Sequence, residues 1–186
     1  MIPFLMSCLL SIFSVHPATG FALSVGTGMT YLTGSSNDRY TLGSVPVEVA
    51  VLHHRGPQWY EAGLSWMYGS STAAGLRPAK AHIFGLHADV AQSVYSYDYA
   101  DIKLGAGAVV RYASVDLAAW DGGSTSLKVS LPSDTRHEFL ATFRVSPSLL
   151  LHGSAGGGGL EVVPLRIEYG PSLFQIAPSV SYSMLF

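Results

Sequence analysis

Between Phe21 and Phe186 apolar and polar side chains alternate through stretches of about ten residues, the period of a β-strand with two unlike faces. Polar or glycine-rich segments separate the stretches. The first sets Phe21, Leu23, Val25, Thr27, Met29 and Tyr31 on one face and ends at GSSNDRYTLG. SVPVEVAVLH sets Val45, Val47, Val49 and Val51 against Pro46 and Glu48, and after HRGPQ the stretch WYEAGLSWMY sets Tyr60, Ala62, Leu64, Trp66 and Tyr68 against Glu61, Gly63 and Ser65. Phe84, Leu86, Ala88, Val90 and Val94 oppose Gly85, His87, Asp89 and Ser93; Ile102, Leu104, Ala106, Ala108, Val110 and Tyr112 oppose Lys103, Gly105, Gly107 and Arg111. Beyond WDGGSTSLKVSLPSDT, Phe139, Ala141, Phe143 and Val145 oppose Glu138, Thr142 and Arg144; then Val163, Leu165, Ile167 and Tyr169 oppose Pro164, Arg166 and Glu168. The last stretch sets Phe174, Ile176, Val180, Tyr182, Met184 and Phe186 against Gln175, Ala177 and a run of serines. Helical spacing fails, because an i, i+3, i+4 face would put Glu48, Arg111 or Arg166 among the apolar residues. Eight strands are predicted; SPSLLLHGSAGGGGL leaves ten open, because it serves equally as a turn or as an extra short hairpin.

The chain starts differently. Met1 to Val15 is a continuous apolar run, closed by His16-Pro17 and followed by the small residues Ala18, Thr19 and Gly20. It is shorter than the roughly 20 residues a spanning helix needs and has the layout of a secretory signal peptide, without the usual basic start. Residues 1–20 are expected to be removed, with cleavage after Gly20 or Ala22, leaving a domain over 21–186. The single cysteine, Cys8, lies in that segment, so neither disulfides nor cysteine-based zinc sites are expected.

Composition changes the choice of solvent. Of 186 residues 48% are hydrophobic and 12% charged, and mean hydropathy is +0.32, whereas about 25% charge is usual for soluble chains. A net charge of -2 with no basic cluster gives no case for nucleic acid. In lipid every backbone polar group must be paired internally, so strands can cross only as a closed barrel. The expected fold is therefore all-β: a closed antiparallel transmembrane barrel, an up-and-down meander whose even strand number leaves both termini on the periplasmic side. Outward loops are expected near residues 34 to 43, 70 to 80 and 120 to 136. The apolar faces meet lipid, and the other faces collect Glu48, Glu61, Asp89, Glu138 and Glu168 against Lys103, Arg111, Arg144 and Arg166 in the lumen, with His87 among them.

The alternating end of the chain, with Val180, Tyr182, Met184 and a terminal Phe186, resembles the closing strand of Gram-negative outer-membrane β-barrel proteins. At the level of small eight-stranded barrels the resemblance runs from about Phe21 to Phe186. It implies the bacterial outer membrane as location, and outer-membrane lipid, lipopolysaccharide, periplasmic chaperones and the barrel-assembly machinery as partners, the last reading those four terminal positions.

Eight strands leave an interior that side chains fill, so a structural or surface-interaction role with a closed ionic lumen is expected. Two alternatives are weighed. His152-Gly153-Ser154 superficially resembles the His-x-Ser of lipid A 3-O-deacylases, with Glu168 as acid, but Ala155 stands where that family has Asn. A small transport channel would favour charges of one sign, against the near-balance of the lumen set. No cofactor and no metal are expected: His53-His54 belongs to a predicted turn, and His82 and His87 fall on opposite strand faces.

Overall fold

The computed structural model describes residues 18–33, 39–71, 78–124, 127–153 and 158–185. The expected signal segment up to Pro17, with Cys8, and also Ser154 and Phe186, lie outside them. Thirteen strands, β1 to β13, are found among the described residues, and eleven of them join into eight staves. Stave 1 is β1 (Ala18–Gly26) continued by β2 (Gly28–Thr33). Staves 2 to 5 are β3 (Arg39–Arg55), β4 (Gln58–Ser71), β5 (Ala79–Tyr97) and β6 (Ala100–Leu117). A separate hairpin of β7 (Trp120–Ser124) and β8 (Leu127–Leu131) stands in the connection to stave 6, which is β9 (Asp134–His152). Stave 7 is β10 (Gly158–Val163) with β11 (Ile167–Tyr169), and stave 8 is β12 (Leu173–Ile176) with β13 (Ser179–Leu185).

Each stave pairs antiparallel with its neighbours in sequence, and stave 8 pairs back onto stave 1, through Leu23 opposite Tyr182 and Met29 opposite Ile176. The sheet is thereby closed and leaves no edge. A path at right angles to the staves runs Thr19, His53, Tyr60, Val90, Ala106, Val145, Ile167, Ile176 and Met29. It returns to stave 1 ten residues beyond its start, from 19 to 29. With about 3.3 Å per residue and about 4.8 Å between strands, that stagger tilts the staves by about 40°, within the range of closed barrels.

Two two-residue connections, Gly56-Pro57 and Asp98-Tyr99, lie at the end that holds Ala18 and Leu185, the end expected on the periplasmic side; the other end holds the three-residue connection 170–172 and the longer loops. Gly56 has φ 60°, the left-handed value that a two-residue hairpin needs at its first turn position, and Pro57 follows with a fixed negative φ. His53 and His54 are not in this turn but on the last rungs of β3, opposite Tyr60 and Trp59. At the other end β3 already begins at Arg39, β4 runs to Ser71, and the third loop holds the β7–β8 hairpin, so the strands reach farther into the outward loops than the sequence suggests.

Prolines explain where the staves break. Pro178, without an N–H, separates β12 from β13 and accepts from Thr27 at 3.1 Å, opposite the break between β1 and β2. Pro164 interrupts stave 7 and puts one extra residue there: Val162 faces Leu149 and Ile167 faces Val145, so five steps on stave 7 match four on stave 6. The same excess holds against stave 8, where Val163 faces Ser179 and Ile167 faces Ile176. This bulge inverts the alternation. Val163, expected to face lipid, is buried at 4% exposure, while Leu165, Ile167 and Tyr169 point outward as expected.

The remaining outward faces match the alternation. Leu64, Leu86, Val110, Phe143 and Phe139 are exposed, the last at 82%. A rung of Trp66, Phe84, Tyr112 and Phe139 forms part of an aromatic girdle, with the Tyr112 and Phe139 rings 5.2 Å apart. Such a surface is stable only against lipid.

Candidate functional site

The interior is layered. Towards the loop end, Leu32, Leu42, Met67, Ile83, Ala113, Val115, Leu117, Leu140 and Leu173 pack into an apolar cluster. Thr30 closes its lower side, donating to Ser44 Oγ at 3.0 Å and contacting Met67 Sδ at 3.4 Å, and Gln175 Nε2 lies 3.0 Å from the same sulfur. Glu138 faces inward beside this layer, opposite Ala113, and is half-buried.

Below it lies the first ion pair. Arg111 from β6 lies bidentate on Glu168 from β11, with Nε to Oε1 at 2.7 Å and Nη2 to Oε2 at 2.6 Å. Its third nitrogen, Nη1, donates to Ser65 Oγ at 3.0 Å, and Thr142 donates to Glu168 Oε1 at 2.6 Å. The arginine is 2% and the glutamate 1% exposed, so the charges are taken out of water, and satisfaction of nearly every polar atom is what makes their burial tolerable.

The second layer centres on Arg144 from β9. Its Nε donates to Asp89 Oδ1 at 2.5 Å, its Nη2 contacts Asp89 Oδ2, and its Nη1 donates to Glu48 Oε1 at 2.9 Å. The other oxygen of Glu48 accepts from Arg166 Nη1 at 2.7 Å. Glu61 stands 3.8 Å from Arg144 Nη2 and 3.2 Å from His87 Nε2, and Asp89 Oδ2 is 4.0 Å from the same imidazole nitrogen. Glycines make room for these long side chains: a Cβ on Gly107 would collide with the Asp89 carboxylate, and one on Gly85 would press on Ser65 and Arg111. His87 Nδ1 and Arg166 Nε are buried without a hydrogen-bond partner.

The periplasmic layer holds Lys103, which pairs with Glu161 at 2.8 Å and sits 4.5 Å over the Trp59 ring. Trp59 in turn stacks on His54 at 4.1 Å and donates to Ser93 Oγ at 3.2 Å. At the rim His152 Nε2 lies 3.3 Å from Asp101 Oδ2.

Of the residues that the alternation assigns to the lumen, the structure brings Glu48, Glu61, His87, Asp89, Arg144 and Arg166 into one network, and Arg111 and Glu168 into a neighbouring pair. Lys103 stands apart, with a partner absent from that set. Glu161 escapes sequence reasoning because the bulge at Pro164 reverses its face, and Asp101 because it precedes the first clear alternation at Ile102. The hydrolase set is not gathered: Glu168 is committed to Arg111 and Thr142 deep in the lumen, and the acid beside His152 is Asp101. In the closing strand Val180, Tyr182 and Met184 face outward, at 48%, 57% and 46% exposure.

No protein-family model matches the chain, and no curated protein matches it. Among solved structures it is similar to Neisserial surface protein A, NspA, with TM-score 0.58 and 13% identity over 89% of this chain and 97% of that one. It is also similar to Ail, the attachment invasion locus protein of Yersinia pestis, with TM-score 0.56 and 8% identity over 92% of this chain and all of that one. The chain has the fold of small eight-stranded outer-membrane β-barrels.

Proposed function

We propose that the protein is an integral barrel of the bacterial outer membrane, of structural or surface-interaction type, whose lumen is closed and whose working surface is the set of outward loops. One observation carries the reading: an apolar plug built on Met67, Ile83, Leu42 and Leu173 lies across the lumen above a paired ionic layer. A channel needs a wetted path and favours charges of one sign; here arginines are spent on carboxylates. Outer-membrane lipid and lipopolysaccharide contact the apolar belt, and the outward residues of the closing strand, with Phe186, are read by the assembly machinery after escort by periplasmic chaperones.

Topology in living cells tests the placement of the loops. Cysteine at Ser130, exposed on β8, should react with an impermeant thiol reagent on intact cells. Cysteine at Ser96, beside the periplasmic turn, should react only after the outer membrane is permeabilised. Labelling of Ser96→Cys alone in intact cells would overturn the reading. Unchanged lipid A mass after overexpression is expected, and loss of an acyl chain would favour the hydrolase.

A further inference from the structure

The outer wall of the barrel carries a walled groove. Ala62, Ala88 and Ala108 stand side by side on one outward rung of staves 3, 4 and 5, between Val51 on stave 2 and Phe143 on stave 6. On the loop side the next rung is Leu64, Leu86 and Val110, exposed at 63%, 62% and 56%. On the periplasmic side the next rung is Tyr60, Val90 and Ala106. Three methyl groups sunk between these larger side chains leave an open groove of about 740 Å³, which falls within the roughly 300–1,000 Å³ of small-molecule sites.

The groove is slanted across the wall. Rungs climb from the periplasmic end at Thr19 towards Met29, and a stave tilt of about 40° makes them rise about 40° from the membrane plane. From Val51 to Phe143 the rung crosses four strand spacings, so at about 4.8 Å each it runs about 19 Å and rises about 12 Å. That rise is most of one leaflet, about half of a hydrocarbon core of about 30 Å. The groove starts low, so the leaflet is the periplasmic one.

Its low end is polar. His53 and Tyr60 line it with ring centroids 6.2 Å apart, and the Tyr60 hydroxyl donates to Gln58 Oε1 at 2.6 Å. Arg55, two residues beyond His53 on the same face of β3, is exposed and is the one base facing outward at this end among the described residues. Thr19, Gln58 and Gln92, on the neighbouring outward positions, are uncharged. A guanidinium without acids on the outward positions around it complements a phosphate, and the apolar groove that leads away from it complements an acyl chain.

We propose that this groove holds one glycerophospholipid of the periplasmic leaflet, with an acyl chain over Ala62, Ala88 and Ala108 and the phosphate at Arg55 and His53. The inference rests on the membrane placement proposed above and goes beyond it, because general contact between lipid and the apolar belt needs neither a groove nor a base. A bound chain completes the wall where the alanines leave it thin.

The test folds the protein into phosphatidylglycerol vesicles, extracts it in mild detergent and counts retained lipid by native mass spectrometry. The wild type should keep one phosphatidylglycerol and should not keep diacylglycerol, which lacks the phosphate, from vesicles doped with it. Ala88→Phe and Ala62→Phe, which fill the groove from the lipid side, should lose the retained lipid, whereas Ala141→Phe, outward but outside the groove, should keep it. Arg55→Gln should weaken retention about tenfold, the worth of one charge-assisted contact. Heat-dependent gel mobility reads insertion separately: a wild type that fails to insert would overturn the membrane placement and the lipid site together. Insertion without a retained lipid, equal retention of diacylglycerol, or retention unchanged in the filled-groove variants or in Arg55→Gln would overturn the lipid site alone. A dimer that Ala88→Phe dissociates would put a second copy of the chain in the groove and would likewise overturn it.

Discussion

The guanidinium of Arg111 and the carboxylate of Glu168 meet through two parallel hydrogen bonds of 2.7 and 2.6 Å, joining staves 5 and 7 across the lumen. Both are essentially without solvent contact. Removing one leaves the other buried and uncompensated, which costs ~3–5 kcal/mol. Arg111→Ala and Glu168→Ala should therefore each shift the urea unfolding midpoint strongly. The double variant should be far less destabilised than the sum, because neither charge is then orphaned. Additive losses would mean that the pair is not a coupled unit.

Gly107 is fixed by a neighbour on the next stave. A side chain there would fall on the Asp89 carboxylate that Arg144 holds. Gly107→Ala should cost ~1–3 kcal/mol through overpacking, whereas Gly43→Ala, whose nearest obstacle is a carbonyl 3.9 Å away, should change stability by no more than about 0.5 kcal/mol. Equal unfolding midpoints for the two variants would contradict the packing described.

Leu86 stands in the middle of the apolar belt at 62% exposure, between Leu64 and Val110. Leu86→Arg should destabilise the membrane-inserted barrel by ~2–4 kcal/mol, while Ser96→Arg beside the periplasmic turn should be neutral. Reversible folding into lipid vesicles measures both, and tolerance of arginine at residue 86 would mean that this face does not meet lipid.

The closing strand gives a pair of adjacent tests. Tyr182 faces outward and Ser181 inward, both paired with stave 1. Tyr182→Asp should reduce insertion in cells much more than Tyr182→Phe, and deletion of Phe186 should reduce it more than Leu185→Ala. Assembly yield in outer-membrane fractions reads both comparisons.

Much of this architecture was legible as alternation. Over residues 60–66 of β4 and 102–108 of β6 each apolar residue faces out and each Glu, Lys, Gly or Ser faces in, because the strand period is two and one face must meet lipid; nearer the loop end the inward positions become apolar at Met67, Ala113, Val115 and Leu117. What could not be read was set across strands. Glu48, Glu61 and His87 lie on three staves, and their approach depends on register, which a single sequence does not declare. The bulge at Pro164 reversed one face and hid Glu161 from the lumen set. β1 begins at Ala18, upstream of both expected cleavage positions, and its first rungs pair with His54 and His53.

The closed lumen is tested most directly by single-molecule conductance of the folded protein in planar bilayers. The plug and the paired ionic layer predict no steady current at moderate voltage in the wild type. They also predict intermittent openings in Arg144→Ala, which frees Asp89 and one oxygen of Glu48 at once while Arg166 keeps the other. A steady, ion-selective current through the wild type, unchanged by Arg144→Ala, would contradict the account.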